Sequence, residues 1–255
     1  MAKNILSMKP VWTESFQIKS YESGFDGRMK IFSLFNYLQE VAGNHADELK
    51  FGYNDLKPRN WYWVLTRIKI EINQFPRWCD TIAVTTWPKG IDRLFGLRDF
   101  FVTDKLQNQI IKATSSWVII DGVRFRPQRL QDILQSIPEN ENKHAINEML
   151  EKLVIPSSIY YQTDRTVSIN DLDVNNHVNN AKYVEWLMDC YDKNFYENNE
   201  LKNIQVNYLE EAHYGDKLNL QLFKSDASSN EHYIEGIIQE RNVKIFQAKL
   251  DWQNL

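Results

Sequence analysis

The sequence predicts an α+β protein made of two copies of one unit, in each of which a long amphipathic helix precedes four antiparallel strands. Three observations predict it. Apolar residues recur at steps of three and four in two places, each such run is followed by stretches that alternate apolar and polar residues, and landmark residues of the first half return in the second. Period-two alternation marks strands with one buried and one wet face, the habit of antiparallel sheets.

In the first half Leu34, Leu38, Val41, Ala42, His45 and Leu49 share one helical face, which predicts a helix over residues 33–50 with Ser33 as its cap. WYWVLTRIKIEI (61–72), DTIAVTTW (80–87), FGLRDFFVTD (95–104) and IIKATSSWVII (110–120) read as the strands that follow. In the second half Val184, Leu187, Met188, Tyr191 and Phe195 predict a helix over 180–196. NIQVNYLEE (203–211), KLNLQLFKS (217–225), HYIEGIIQE (232–240) and KIFQAKLDW (244–252) read as its strands. Asp26 answers Asp173, Asp80 answers Asp216 and Trp117 answers Trp252, at separations of 147, 136 and 135 residues. The shrinking separation makes the loop between helix and first strand longer in the first half. SIPENENKHAINEMLEKLVIPSS (136–158), charged and bounded by Pro138 and Pro156, reads as a linker with room for one short helix, between domains at 1–135 and 159–255.

Composition narrows the class. With 43% hydrophobic and 25% charged residues the 255-residue chain has the balance of a folded globular protein, and 8 Trp, 12 Tyr and 13 Phe suit thick cores or a pocket for an apolar ligand. A net charge of −4 gives no overall attraction to nucleic acid or anionic membrane. Cys79 and Cys190 are too few and too far apart for a disulfide framework or a zinc cluster. The N-terminus lacks the apolar core of a signal peptide, and no run of about 18 apolar residues occurs. A cytoplasmic protein without metal or cofactor is expected. The absence of a G-x-S-x-G elbow, a Walker loop, a G-x-G-x-x-G fingerprint and an H-E-x-x-H helix removes the usual support for serine-hydrolase, nucleotide and zincin chemistry.

One stretch concentrates polar chemistry. DLDVNNHVNN (171–180) holds two aspartates, four asparagines and a histidine in ten positions. Asp173, Asn175 and His177 alternate, so an extended or irregular loop can turn them to one side, immediately before the second predicted helix. The first N–H groups of that helix, near Val178 to Ala181, offer donors for a carbonyl oxygen or oxyanion. Acid, amide, imidazole and helix N-terminus are the parts of an acyl-transfer or hydrolysis site, and a capped turn would use the same residue types. Of the other histidines, His45 lies on the apolar face of the first helix, where packing is its commoner role, and His144 falls in the linker.

DLDVNNHVNNAKYVEW (171–186) resembles the signature of the acyl–acyl carrier protein thioesterases, in which such a run opens the central helix of the second of two fused hot-dog domains. FQIKSYESG (16–24), LQEVAGNHAD (38–47), WVLTRIKIEI (63–72), FPRWCDTIAVTTWPKG (75–90) and KATSSWVIID (112–121) resemble first-half blocks of that family in the same order, and VNYLEEAHYGD (206–216) resembles the strand that brings in its catalytic glutamate. The resemblance implies a tandem double hot-dog, each repeat an antiparallel sheet wrapped around a long central helix. It implies hydrolysis of fatty acyl–carrier protein thioesters, with Asp173, Asn175, His177 and Glu211 catalytic and Val178 and Asn179 at the substrate. It also implies an acyl-chain tunnel in the first repeat, for which Val41, His45, Trp61, Trp63 and Leu65 are candidates, although for any single one of them a core role is the commoner. Many plant members carry Cys directly after the glutamate; this chain has Ala212, so no thiol nucleophile stands there. Attack by water and attack by Asp173 through an acyl anhydride use the same residues. The partner would be acidic acyl carrier protein, and Arg124, Arg126 and Arg129 form the densest basic cluster available to dock it. An acyl-coenzyme A thioesterase, a hydratase on the same scaffold and a non-catalytic acyl-binding module are the alternatives. Monomer and homodimer are both compatible with two fused repeats.

Overall fold

The computed structural model describes residues 9–130, 140, 143–226 and 229–255. Of the expected linker, residues 136–139, 141 and 142 lie outside the described residues, as do 1–8 and 131–135 of the expected first domain. The chain separates into two compact units, one of residues 1–30, 36–66 and 74–148, the other of 31–35, 67–73 and 149–255. Each combines an antiparallel sheet with helix, as the α+β reading requires.

In the first unit the sheet order is β1 (Trp12–Gln17), β3 (Thr81–Asp92), β4 (Phe95–Thr103), β5 (Gln109–Asp121) and then β2 (Trp61–Ile72), with the two-residue β6 (Arg126–Pro127) on β5. All four expected strands are present. β3 runs further than its alternation indicates, because a register shift between Pro88 and Gly90 absorbs the proline and lets pairing with β4 continue to Asp92. β1 escaped the pattern search: it is a six-residue edge strand whose side chains alternate between exposed and half-buried, none fully buried. The long helix α1 spans Ile31–Glu48. It begins two residues earlier than expected, with Lys30 as its N-cap and no side-chain cap bond; Ser33 is therefore not the cap but a buried first-turn residue. Its apolar face, including Leu34, Phe35, Leu38, Val41, Ala42, Ala46 and Leu49, is buried as the spacing predicts.

In the second unit Arg67–Glu71 of β2 pairs with β8 (Asn199–Tyr208), followed by β11 (Val243–Asn254), β10 (Glu231–Ile238), β9 (Lys217–Lys224) and β7 (Ile159–Thr166). β7 is again an edge strand, and its residues are mostly exposed, so it carries no apolar alternation to read. The expected helix over 180–196 is two helices. α3, Asn180–Met188, ends at Asp189, and α4, Lys193–Asn198, starts afresh because the Asp192 side chain accepts the Phe195 N–H at 2.8 Å and caps it. The intervening α2 (Tyr53–Leu56) is a single turn in the first unit. Residues 150 and 151 of the expected linker are tied to the sheet by side chains: Arg67 donates to the Leu150 carbonyl, and Gln205 and Asn207 donate to that of Glu151 at 2.9 and 3.1 Å.

The internal repeat is real, but its register differs from the residue matches. A 3₁₀ turn at Ser20–Glu22 and one at Ile169–Asp171, the bridges Ser23 to Met29 and Leu172 to Val178, and the helix starts at Ile31 and Asn180 are all 149 positions apart. Asp26 therefore answers Asn175, not Asp173; single-residue matching slipped by two because both loops contain an aspartate. The match of Asp80 with Asp216 holds, since each carboxylate accepts the N–H three residues before it, from Arg77 at 2.8 Å and His213 at 2.9 Å.

Two buried histidines bear on stability. His45 is fully buried, its Nε2 donating to the Lys9 carbonyl at 2.9 Å and its Nδ1 accepting from Arg98 at 3.1 Å. Burial, reinforced by the Arg98 charge, pushes it from 6.5 down to about 4. His232, held between the Tyr191 hydroxyl and the Ser229 carbonyl, is lowered to about 4 chiefly by burial. With folded values depressed, the unfolded chain takes up these protons first, so stability is complete above about 6.5, falls as pH drops toward about 4, and loses nothing more from these groups below it. We expect the urea midpoint to decline across that window. A His45→Gln/His232→Gln variant should show a flatter decline there; an unchanged slope would contradict the assignment.

Candidate functional site

The polar stretch folds as a closed loop. The bridge between Leu172 and Val178 draws its ends together, the Asp173 N–H donates to the His177 carbonyl at 2.7 Å, and the Asn176 N–H donates to the Asp173 carbonyl at 3.0 Å. Asn176 takes a left-handed φ of 64°, a conformation asparagine tolerates better than most residues. The loop is anchored from behind by Asp171, whose buried carboxylate accepts the Ser168 N–H at 2.8 Å and the Ser168 hydroxyl at 2.7 Å, with Lys182 Nζ at 3.8 Å. Asn179, the N-cap of α3, accepts the Ala181 N–H at 2.9 Å through its side chain.

Within this frame Asp173 does two things. Its Oδ1 accepts the N–H groups of Asn175 at 2.8 Å and His177 at 3.3 Å, which is the capped-turn role; Oδ2 takes no hydrogen bond from the described residues. His177 Nδ1 lies 3.4 Å from Glu211 Oε1, with the two side chains 33% and 43% exposed, so the pair is open to a ligand. Nε2 of His177 takes no hydrogen bond from the described residues. Asn175 is exposed, and its side-chain amide takes no partner among the described residues. Glu211 lies three residues beyond the end of β8 at Tyr208, so the strand aims the acid without containing it.

The helix N-terminus differs from expectation in one respect. The Asn179 N–H is spent on the Asp171 carbonyl at 2.9 Å and the Ala181 N–H on the Asn179 side chain, while the Val178 N–H is engaged, at 3.4 Å, by the Ala212 carbonyl. The N–H groups of Val178, Asn179 and Ala181 are thus engaged within the protein, and the positive end of α3 lies behind them. Val178 is buried and Asn179 half-buried.

Two residues near this centre were not singled out from the sequence. The His213 ring packs edge-on to His177 with centroids 5.8 Å apart, and the hydroxyl of Tyr183 accepts the Ala212 N–H at 3.1 Å. Tyr183 is buried, which raises its pKa, and the carboxylates of Glu211, Asp216 and Asp173 lie near enough to raise it further. The helical spacing of Tyr183 with Val184 and Leu187 marks it as core; nothing in the pattern tells that its hydroxyl reaches the segment bearing Glu211.

The remaining candidates lie in the first unit. Val41, His45 and Leu65 are buried, and Trp61 and Trp63 are half-buried against a cluster of Ala46, Leu49, Phe51, Leu56, Ile119 and Leu130. Trp63 donates from Nε1 to the Phe51 carbonyl at 3.0 Å. Arg124, Arg126 and Arg129 are exposed, interleaved with exposed Val123 and Phe125. Among the described residues no group of three or more His, Cys, Asp or Glu side chains is arranged to hold a metal ion, and no helix is long and apolar enough to cross a membrane.

Fold and site together define a double hot-dog protein with an acid–imidazole pair at the mouth of its second central helix. The chain belongs to the acyl-ACP thioesterase family: the family's N-terminal domain matches residues 9–137 and its C-terminal domain residues 158–254. An acyl-ACP thioesterase from Bacteroides thetaiotaomicron superposes with a TM-score of 0.85 at 26% identity, over 96% of this chain and 98% of that one. A 12:0-ACP thioesterase from Umbellularia californica gives 0.83 at 26% identity, over 97% and 98%. Among curated relatives, an acyl-[acyl-carrier-protein] hydrolase of Cuphea viscosissima, named chloroplastic, is 33% identical over 78% of this chain, and a dodecanoyl-[acyl-carrier-protein] hydrolase of Cinnamomum camphora is 28% identical over 95%. The chain spans 51% of the first and 68% of the second.

The loop-capping role of Asp173 has a consequence for stability. Asp173→Asn keeps an oxygen acceptor for the two loop N–H groups, whereas Asp173→Ala orphans both, so the alanine variant should be less stable than the asparagine one by ~1 kcal/mol in denaturant unfolding. Equal stabilities would remove the capping role.

Proposed function

We propose that the protein hydrolyses the thioester of fatty acyl–acyl carrier protein, releasing free fatty acid and carrier protein. The observation that carries this reading is the 3.4 Å approach of His177 Nδ1 to Glu211 Oε1, beside Asp173 and ahead of the α3 N-terminus. Water adds through its oxygen to the thioester carbon as one of its protons passes to the carboxylates of Asp173 and Glu211. Asp173 Oδ2 is the oxygen left over for that water once Oδ1 has folded the loop. The carbon–sulfur bond then breaks, and the Glu211–His177 contact gives the proton a route to the leaving sulfur through Nε2. Asn175, exposed and unpartnered among the described residues, orients the water or the carboxylate. The field of the α3 N-terminus, framed by Val178 and Asn179, favours the oxyanion as it forms. With Ala212 after the glutamate, no thiol enters the scheme.

The same reading divides the labour as the sequence suggests. Residues 1–135 supply the acyl-chain pocket, 136–158 the linker and 159–255 the catalytic groups. Val41, His45, Trp61, Trp63 and Leu65 line the chain's path, and the two unpaired thiols, Cys79 and Cys190, accord with a cytoplasmic setting. Asp173→Asn and His177→Ala should each lower kcat by ~10²-fold or more with the fold intact by circular dichroism. Free-thiol release at near-normal rates in both variants would defeat the mechanism. The same assay with coenzyme A thioesters in place of carrier-protein thioesters separates this function from its nearest rival.

For docking, the exposed Arg124, Arg126 and Arg129 offer an acidic carrier protein charge, with Val123 and Phe125 between them for apolar contact. Replacing the three arginines by alanine should raise KM for the carrier-protein substrate and flatten its dependence on salt, leaving coenzyme A thioesters unaffected. An unchanged KM and salt slope would clear the cluster of that role.

A further inference from the structure

The two repeats provide an internal control for which contacts serve the fold and which serve the site. In the second, the loop closes through Asp173 N–H to His177 carbonyl at 2.7 Å and Asn176 N–H to Asp173 carbonyl at 3.0 Å; in the first, Gly24 N–H donates to the Arg28 carbonyl at 2.8 Å and Gly27 N–H to the Gly24 carbonyl at 3.0 Å. The left-handed residue recurs too, Gly27 at φ 76° and Asn176 at φ 64°. The following turn repeats 136 positions apart, Asp80 N–H to the Arg77 carbonyl at 3.0 Å and Asp216 N–H to the His213 carbonyl at 3.1 Å. The link between loop and turn repeats as well, as Met29 N–H to the Pro76 carbonyl at 2.8 Å and Val178 N–H to the Ala212 carbonyl at 3.4 Å. These bonds are common to both repeats and belong to the fold.

The same registers place Gly24, Asp26 and Arg28 opposite Asp173, Asn175 and His177, and Phe75 opposite Glu211. The first repeat has kept the loop and lacks the chemistry. One hydrogen bond goes with the chemistry. Ala212 N–H donates to the Tyr183 hydroxyl at 3.1 Å, whereas the corresponding residues of the first repeat are Pro76, which has no N–H, and Leu34, which has no hydroxyl. Both ends of this bond are missing where the acid and imidazole are missing.

We infer that Tyr183 is a positioning residue, whose hydroxyl holds the peptide following Glu211 so that the Glu211 carboxylate stays against His177. Glu211 sits in a segment without strand pairing of its own, after the end of β8. Its successor is gripped on both polar groups, the N–H by Tyr183 and the carbonyl by Val178. The tyrosine ring is itself fixed edge-on against Trp186, Tyr208 and Phe246 at centroid distances of 5.3, 5.8 and 5.6 Å, which makes its oxygen a stationary acceptor. Burial keeps the phenol neutral, so it remains a hydroxyl across the working pH range.

The inference rests on the reading of Glu211 and His177 as the catalytic pair, and a double-mutant cycle separates the two. Tyr183→Phe retains the ring packing and removes the acceptor. It should lower kcat about five- to tenfold with KM little changed, and displace the limb of the kcat–pH profile that reports the pair. In a Glu211→Gln background the same change should have no further effect, since a residue that acts through Glu211 has nothing left to position. Ala212→Pro, which copies Pro76, removes the donor from the other side and should reproduce the kinetic effect even where Tyr183→Phe disturbs packing. Wild-type kcat and pH profile in Tyr183→Phe and Ala212→Pro would overturn the inference while leaving the catalytic pair standing, as would losses that multiply with Glu211→Gln. A Glu211→Gln enzyme as active as wild type would overturn the pair and the positioning role together.

Discussion

Everything at the site depends on the closure of a five-residue loop between the bridged residues Leu172 and Val178. Once Asp173 N–H reaches the His177 carbonyl, the residues between have little freedom, and the alternation Asp173, Asn175, His177 becomes a fixed geometry rather than a pattern. The loop costs few special residues. Asn176 takes the left-handed position, Asp171 holds the entry from a buried site, and Asn179 caps the exit into α3. That is why a stretch of ten positions spends so many polar side chains: Asp171, Asn176 and Asn179 fold it, and Asp173 folds it with one carboxylate oxygen and leaves the other unengaged. Capped turn and candidate site are thus one structure.

Because the same closure recurs in the first repeat with Gly24, Asp26 and Arg28 in the key positions, loop geometry alone does not make chemistry. The Asp26 carboxylate there binds Arg28, through its N–H at 2.9 Å and its Nε at 2.5 Å, and is neutralised within its own loop. In the second repeat Asn175 stands at that position, Asp173 meets backbone N–H groups, and Glu211 meets the His177 imidazole. A duplicated scaffold so carries one quenched and one open version of a single loop.

The sequence made the long helix α1, the main strands and the order of the two repeats readable, because each buries one face and so imposes a period on its residues. It failed where burial is weak or geometry is local. The edge strands β1 and β7 have too little buried surface to impose alternation. The break between α3 and α4 depends on Asp192 caring for one N–H, a contact too small to interrupt the apolar spacing that continues through Tyr191 and Phe195. Those two rings do stack, at 4.6 Å between centroids, but across a turn rather than along one helix. At the site the polar stretch stood out by composition, and Glu211 was reached through a family resemblance. The hydroxyl of Tyr183 was invisible, since a tyrosine on an apolar face looks like core until its oxygen is seen against a backbone N–H.

The contrast between the interiors bears on where an acyl chain would be held. In the second unit Tyr191, Phe195, Tyr196, His232 and Trp252 crowd together, with ring centroids from 4.6 to 6.4 Å apart. In the first unit the helix instead presents Ala42 and Ala46 around His45, and His45 binds a buried Arg98 that also reaches the Thr86 hydroxyl at 3.2 Å. A guanidinium is costly to bury among apolar groups unless its donors are met, and an arginine retained there beside alanines constrains how that interior can be filled. Rings pack in the first unit too, Trp12 on His45 at 6.1 Å and Trp87 against Phe101 at 4.9 Å, so what sets it apart is the buried Arg98–His45 pair. The helix and strand pattern, being the same in both repeats, gives no sign of this difference between their interiors.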